Sequence, residues 1–113
     1  MIQIYHNPRC SKSRQGLAIV EASGQTFEVI KYLDNPPSTT EMEGLLTKLN
    51  MAPEALIRKG EAIWKEQFKG KDLDHSALVD ALCTHPKLIE RPIVVNGDKA
   101  VVGRPPEAIN DVL

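Results

Sequence analysis

The pattern that most constrains the fold is a strand, a helix and a second strand at the start of the chain. Residues 2–5 alternate apolar and polar side chains and predict a short strand, which the turn signal Asn7-Pro8 ends. Apolar residues recur at helical spacing from Ser11, and residues 27–33 predict a second strand. Two strands joined by one helix at this length form a βαβ unit, so these strands are predicted to run parallel.

The rest of the chain changes period twice. Ser38 and Glu41 form a capping-box pattern that predicts the start of a helix, and helical spacing then continues to about Pro86. Two β-branched runs follow, joined by Asn96-Gly97, a strong signal for a β-hairpin. A short C-terminal helix completes the pattern. This order predicts an α/β chain in which an all-helical block separates two parts of one mixed sheet.

Length and composition indicate one ordinary globular domain. The chain has 113 residues, of which 42% are hydrophobic and 26% charged, and its formal net charge is -1. This balance gives no support to a nucleic-acid or anionic-membrane partner. We see neither a signal-peptide pattern nor an apolar run near the ~20 residues of a membrane helix. The cytoplasm, where thiols stay reduced, is the expected compartment.

Cys10 is the strongest candidate for chemistry. It lies where the predicted helix begins, among Arg9, Lys12 and Arg14, and no acidic residue precedes Glu21. Cationic neighbours and a helix N-terminus favour the thiolate, which is the nucleophilic form of cysteine. A lone cysteine is more often an inert, buried side chain, but the surrounding Pro, Arg, Ser and Lys residues are typical of a surface loop. The segment therefore predicts a nucleophile beside a place for an anion.

Two later segments add arginines at the ends of the predicted hairpin. Arg91-Pro92 precedes its first strand and contains an X-Pro bond that could be cis, whereas Gly103-Arg104-Pro105 follows its second strand. Guanidinium groups are always charged and bind tetrahedral oxyanions through paired N–H groups. Taken singly, each arginine is more often a solvated surface charge.

The other cysteine offers little chemistry. Cys83 lies in an apolar helical pattern and is predicted to be a structural side chain. Ser13 occupies the position that a second cysteine would take in a Cys-x-x-Cys redox motif, so an autonomous dithiol oxidoreductase is disfavoured. No pair of ligands at zinc spacing exists, and we expect no metal.

Five motifs in the same chain carry a family resemblance. They are, in chain order, His6-Asn7-Pro8-x-Cys10-x-x-Ser13-Arg14, Leu33-x-Asn35-Pro36-Pro37-Ser38, Leu56-Ile57-Arg58-Lys59, Arg91-Pro92-Ile93-Val94 and Gly103-Arg104-Pro105. In this order they resemble the thioredoxin-fold arsenate reductases linked to glutaredoxin, over essentially the whole chain. The resemblance implies a thioredoxin-like (glutaredoxin-like) mixed sheet in a single domain, residues 1–113. Its core would be 1–37 and 87–113, with a helical insertion at about 38–86.

The resemblance also implies roles for particular residues. Cys10 matches the catalytic cysteine, and His6 matches the nearby histidine that helps to hold it as a thiolate. Pro92 matches the cis-proline that faces the active cysteine in such folds, and Ser13 and Arg14 are supporting positions. The residues that match the oxyanion-binding arginines are Arg58, Arg91 and Arg104.

The family chemistry implied is attack of the thiolate on arsenate, attack by glutathione on the adduct, and reduction by glutaredoxin to release arsenite. Glutathione would be a co-substrate, and no tightly bound cofactor is expected. Two alternatives stay open: a regulatory or binding protein similar to the Spx-type transcriptional regulators, and a monothiol reductase acting on glutathione mixed disulfides. Ser13 in place of a second cysteine counts against the regulator, since that class uses a Cys-x-x-Cys switch.

Overall fold

The computed structural model describes all 113 residues. The chain forms two compact units. The first unit is Met1–Asn35 with Arg91–Leu113, and the second is Pro36–Glu90. The helices and strands are β1 (Ile2–Tyr5), α1 (Ser11–Ala22), β2 (Phe27–Ile30), α2 (Thr39–Leu49), α3 (Ala62–Gln67), α4 (His75–Thr84), β3 (Ile93–Asn96) and β4 (Lys99–Val102). Three 3₁₀ helices accompany them, at Pro53–Leu56, Pro86–Leu88 and Pro106–Val112. None of the helices has the length and apolar character needed to cross a membrane.

The first unit is built on a four-stranded mixed sheet in the order β2-β1-β3-β4. β1 pairs with β2 in parallel, which confirms the predicted βαβ unit, and it pairs with β3 in antiparallel fashion. β3 and β4 form the predicted hairpin around Gly97, whose positive φ of 66° suits a tight turn. β3 is a central strand, and its residues Ile93, Val94 and Val95 are buried.

The second strand is shorter than predicted. The sequence pattern extended it to Leu33, but β2 ends at Ile30. The amides of Asp34 and Asn35 both donate to the carbonyl of Lys31 at 3.0 Å, so the chain turns there. The last residue of β1, Tyr5, pairs with Ile30, so β2 has no strand to pair with beyond Ile30. The length of β2 is therefore set by its neighbour and not by its own side chains.

α1 covers the sheet through small and apolar side chains. Ile4, Val20, Val94 and Ile109 form a buried cluster that joins two strands, α1 and the C-terminal 3₁₀ helix. Gly16 of α1 is equally important, because a Cβ at this position would lie 2.7 Å from Cγ of Pro92 and 2.9 Å from Cδ1 of Ile109. Contacts this short exclude a larger side chain without repacking. The helix therefore approaches the start of β3 closely.

The second unit is helical, as the sequence predicted. Ser38 and Glu41 form the capping box of α2, with hydrogen bonds of 3.1 and 3.0 Å between each side chain and the other residue's amide. Asp74 caps α4 by accepting from the amide of Ala77 at 2.8 Å. Such caps satisfy amides that the first helical turn leaves without a partner. An isolated antiparallel bridge between Ile57 and Ile89 ties two connecting segments together.

Candidate active site

Cys10 is the N-cap residue of α1. Its backbone is extended (φ -97°, ψ 124°), and its carbonyl accepts the amide of Arg14 at 3.0 Å as helical hydrogen bonding begins. The amide of Cys10 donates to the carbonyl of Asn7 at 3.0 Å, which closes a turn before the helix. The sulfur is therefore carried on a short, internally hydrogen-bonded loop. At this end of a helix the partial charge is positive and favours an anion.

The surroundings of the sulfur stabilise its anionic form. Partial burial raises the pKa of the Cys10 thiol, but hydrogen bonds from the Ser13 amide, the Arg91 side chain and the Lys12 amide, with the Arg91 charge, lower it by more. Nη2 of Arg104 also lies 3.6 Å from Sγ. The net effect is a pKa below the ordinary value of a thiol. Because the thiolate is the nucleophile, this geometry supplies an activated sulfur.

The two arginines both reach Cys10 from the open end of the β-hairpin. Arg91 precedes β3 and Arg104 follows β4, and Nε of Arg104 donates to the carbonyl of Arg91 at 2.8 Å. The Arg91–Pro92 bond is cis, and so is the Arg104–Pro105 bond, which the sequence analysis did not anticipate. Antiparallel pairing of β3 with β4 brings the two ends of the hairpin together. Two guanidinium groups and a thiolate thus occupy one place in the first unit.

Ser13 connects the loop before Cys10 to the first turn of α1. Its Oγ is completely buried, lies 2.6 Å from Nδ1 of His6 and accepts the backbone amide of Asn7 at 2.9 Å. The amide of the same residue donates to the Cys10 sulfur. One residue therefore fixes the loop through its side chain and stabilises the thiolate through its backbone.

The His6 imidazole is paired with Ser13. Ser13 Oγ accepts from the Asn7 amide and shares a hydrogen bond of 2.6 Å with Nδ1 of His6. Burial, as the largest influence, lowers the pKa of His6, a hydrogen bond with the Ser13 backbone opposes this, and the Arg14 and Lys31 charges lower it further. The imidazole hydrogen bonds to Ser13 and not to the Cys10 sulfur.

Arg14 supports the same loop from the helix. Its Nη1 donates to the carbonyl of Pro8 at 2.9 Å, while the Arg9 amide donates to Oδ1 of Asn7 at 3.0 Å. The side chain of Arg14 is thus hydrogen bonded to the backbone of the loop that precedes Cys10. This contact links the first turn of α1 to the loop before it.

Arg58 belongs to the second unit. Its amide donates to the carbonyl of Leu88 at 2.7 Å, and its Nε lies 3.6 Å from Oε1 of Glu90. Nη1 of Arg58 is buried without a hydrogen-bond partner. An arginine with a buried N–H that lacks an acceptor is suited to bind an anion.

Comparisons with known proteins show which family this chain belongs to. A family model described as the ArsC family matches residues 5–112. The chain belongs to the ArsC family. An arsenate reductase of Neisseria meningitidis serogroup A is 46% identical over 114 residues, covering 99% of this chain and 97% of the relative. An uncharacterized protein of Escherichia coli K12, YfgD, is 41% identical over 114 residues, covering 99% of this chain and 97% of that protein.

Solved structures give the fold of this ArsC family member. An arsenate reductase from Vibrio cholerae has a TM-score of 0.95 and 46% sequence identity, covering 99% of this chain and 97% of its own. The four-stranded mixed sheet with its helices is that of the thioredoxin-like ArsC proteins. The predicted family and fold class are therefore confirmed.

The second cysteine of the family member has the opposite environment. Cys83 is partly buried in α4, and burial together with the charges of Asp80, Glu41 and Glu43 raises the pKa of its thiol. The thiol form dominates there near neutral pH, so its reactivity is low. The structure contains no group of three or more His, Cys, Asp or Glu side chains that could hold a metal ion.

The sequence analysis gave no packing role to two glycines near the site. Gly16 and Gly103 both pack closely against Pro92, and a Cβ on Gly103 would lie 2.9 Å from Cγ of Pro92. The amide of Gly103 also donates to the carbonyl of Pro92 at 2.8 Å. Gly103 was named only as part of a motif, and no local signal marks Gly16, because the close approach arises from packing between distant segments.

Proposed function

We propose that this protein is an arsenate reductase that uses Cys10 as its nucleophile, with glutathione and glutaredoxin as electron donors. The observation that carries the proposal is the position of Arg91 and Arg104 at the Cys10 sulfur. A thiolate needs fixed positive charge to meet an anionic substrate, and two guanidinium groups with helix amides provide it. The names of the family members above support arsenate as the oxyanion.

The chemistry begins with the formation of a sulfur–arsenic bond. The Cys10 thiolate attacks arsenic(V), one As–O bond breaks, and the oxygen leaves as water after it is protonated. Glutathione then adds its sulfur to the arsenic in the same way, with loss of a second oxygen. A glutaredoxin thiol then attacks the glutathione sulfur, the bond between that sulfur and arsenic breaks with both electrons passing to arsenic, and a glutathione–glutaredoxin disulfide forms. Water displaces the Cys10 sulfur from the resulting arsenic(III), which releases arsenous acid and regenerates the Cys10 thiol. The balance is one arsenic acid and two thiols giving one arsenous acid, one disulfide and one water.

Each site residue has a separate part in this proposal. Arg91 and Arg104 would hold the oxyanion beside the sulfur. Ser13 and His6 would keep the loop and the thiolate in position, and Arg14 would hold the backbone of that loop. Because Ser13 replaces a second cysteine, no Cys-x-x-Cys disulfide can form at this turn, which supports an external thiol as the reductant. Such chemistry suits the reducing cytoplasm.

The test is arsenate-dependent oxidation of NADPH with glutathione, glutaredoxin and glutathione reductase present. The parent protein should support it, Cys10→Ser should abolish it because a hydroxyl is a far weaker nucleophile, and the matched control Cys83→Ser should retain it. Omission of glutaredoxin or of glutathione should each stop turnover. No activity with arsenate, combined with reduction of glutathione mixed disulfides by Cys10, would replace the proposal with a monothiol reductase.

A further inference from the structure

The second unit carries a concentration of positive charge that the chemistry at Cys10 does not use. A hollow of about 370 Å³ lies beside α3, and four lysines and only one carboxylate line it. We call this place the lysine hollow. Its lining includes Glu54, Lys59, Trp64, Lys65, Lys69 and Lys71. The whole chain has a net charge of -1, so the hollow is a local feature.

The backbone holds these lysines together. α3 ends at Gln67, and the carbonyl of Trp64 accepts the amides of both Phe68 and Lys69 at 2.9 Å. The amide of Lys71 then donates to the carbonyl of Phe68 at 3.0 Å, and Gly70 between them has a φ of 80°. This tight turn keeps Lys69 and Lys71 near α3, where Lys65 lies. Trp64 anchors the turn, because its ring stacks on Phe68 with centroids 5.6 Å apart.

Most of the positive charge in the hollow is not neutralised. Nζ of Lys59 lies 2.7 Å from Oε1 of Glu54 and 5.8 Å from the centre of the Trp64 ring. Lys65, Lys69 and Lys71 are exposed and form no ion pair. Like charges held close together repel one another, and a bound anion relieves that repulsion. The hollow is therefore a favourable place for negative charge.

The chemistry of the hollow distinguishes between kinds of anion. The amides of Phe68, Lys69 and Lys71 point into the turn, so they do not form the cluster of N–H groups that binds phosphate. Trp64 is only 9% exposed and does not offer an open ring face for a nucleotide base. What remains is a set of flexible ammonium groups, which act as point charges and suit several separate carboxylates.

We propose that the lysine hollow is a docking site for an acidic segment of a partner protein, with aspartate or glutamate side chains placed among Lys65, Lys69 and Lys71. The inference does not depend on arsenate or on Cys10. Charge complementarity of this kind mainly accelerates association and selects the partner, and salt weakens it.

A labelled hexaglutamate peptide is the probe, and its fluorescence anisotropy measures binding. Trp64, the only tryptophan of the chain, reports whether the peptide lies at the hollow. We expect binding at low ionic strength with a change in Trp64 emission, and its loss when the Debye length falls to about 3 Å near 1 M salt. Lys65→Glu/Lys69→Glu/Lys71→Glu should weaken binding at least tenfold. The matched control Lys48→Glu/Lys87→Glu/Lys99→Glu changes the net charge equally and should stay within twofold of the parent.

The competing results are distinct. Equal loss of binding in both triple variants would overturn the proposal in favour of a nonspecific charge effect. Binding that stays within twofold of the parent in Lys65→Glu/Lys69→Glu/Lys71→Glu would place the peptide elsewhere and would also overturn it. Tighter binding of pyrophosphate or ATP than of the peptide would make the hollow a small-anion site instead. If the Glu variant does not fold, as judged by circular dichroism, the Gln triple variant at the same three positions takes its place with the same expected loss.

Discussion

Nη2 of Arg104 lies 3.6 Å from Sγ of Cys10, although 94 positions separate the two residues in the chain. The contact joins the end of the β-hairpin to the start of α1 and places a permanent cation at the nucleophile. A second contact, from Nε of Arg104 to the carbonyl of Arg91, fixes the direction of the guanidinium group. This arrangement determines what replacement of Arg104 should do.

Arg104→Ala should lower kcat/KM for arsenate roughly tenfold to hundredfold, because a charge-assisted hydrogen bond contributes about 1.5–3 kcal/mol. Arg104→Lys should recover only part of the loss, since it keeps the charge but not the paired N–H groups. Arg9→Ala is the matched control, an arginine next to Cys10 in sequence whose side chain makes no hydrogen bond. The coupled NADPH assay measures all three. Equal activities for Arg104→Ala and the parent would remove Arg104 from the oxyanion site.

The pKa values of the two thiols should lie on opposite sides of the pKa of an ordinary cysteine. The lowered pKa of Cys10 means that its thiolate appears at a lower pH than that of a free thiol, of about 8.5. The raised pKa of Cys83 delays its thiolate to higher pH. Alkylation by iodoacetamide, followed against pH in Cys83→Ser and in Cys10→Ser, measures each thiol alone. A Cys10 midpoint at or above that of Cys83 would contradict the described surroundings.

Ser13→Ala should both destabilise the protein and raise the pKa of Cys10. The change leaves the Asn7 amide and Nδ1 of His6 without their buried partner, which costs about 1–3 kcal/mol for an unsatisfied group. The loop then holds the sulfur less firmly over the helix amides. Ser11→Ala, at an exposed position of the same helical turn, should change neither quantity. Urea denaturation and the alkylation profile are the measurements, and a normal profile in Ser13→Ala would limit Ser13 to stability.

His6 should make the free energy of unfolding depend on pH. Its pKa is lowered in the folded protein, so the unfolded chain binds more protons between that lowered value and about 6.5. Stability contributed by the neutral imidazole is therefore complete above this window and decreases as the pH falls through it. His6→Asn retains an acceptor for Ser13 but cannot titrate, so its unfolding should lack this component, whereas His6→Ala should be less stable at every pH. Denaturation of the three proteins from pH 5 to 8 tests the assignment, and identical pH dependence in His6→Asn and the parent would refute it.

Gly16→Ala and Gly44→Ala should change stability in opposite directions. A Cβ at Gly16 would lie 2.7 Å from Cγ of Pro92, and overpacking of this kind costs about 1–3 kcal/mol. A Cβ at Gly44 of α2 meets nothing within 4 Å, so the helix gains about 0.5–1 kcal/mol from the better helix former. Chemical denaturation of the pair measures both. A stable Gly16→Ala protein would show that α1 does not need its close approach to Pro92.

Much of the fold was predictable because the relevant signals are local. The capping box at Ser38 and the hairpin turn at Gly97 involve neighbouring residues, and both appear where the sequence pattern placed them. The position of Cys10 at the start of α1 follows from the same kind of pattern, since helix boundaries depend on residues within one turn. The parallel pairing of β1 with β2 needs only the order strand, helix, strand.

Long-range contacts decided the remainder. The sequence pattern wrongly continued the second strand beyond Ile30. A strand's length depends on the partner strand beside it, and local alternation does not reveal that partner. His6 and Ser13 were both named from the sequence, yet their hydrogen bond exists only because the loop folds back onto α1. Arg91, Arg104 and Cys10 had the right chemistry in three separate segments. Pairing of β3 with β4 and packing of α1 against Pro92 brought them together, since proximity between distant residues is a property of tertiary structure.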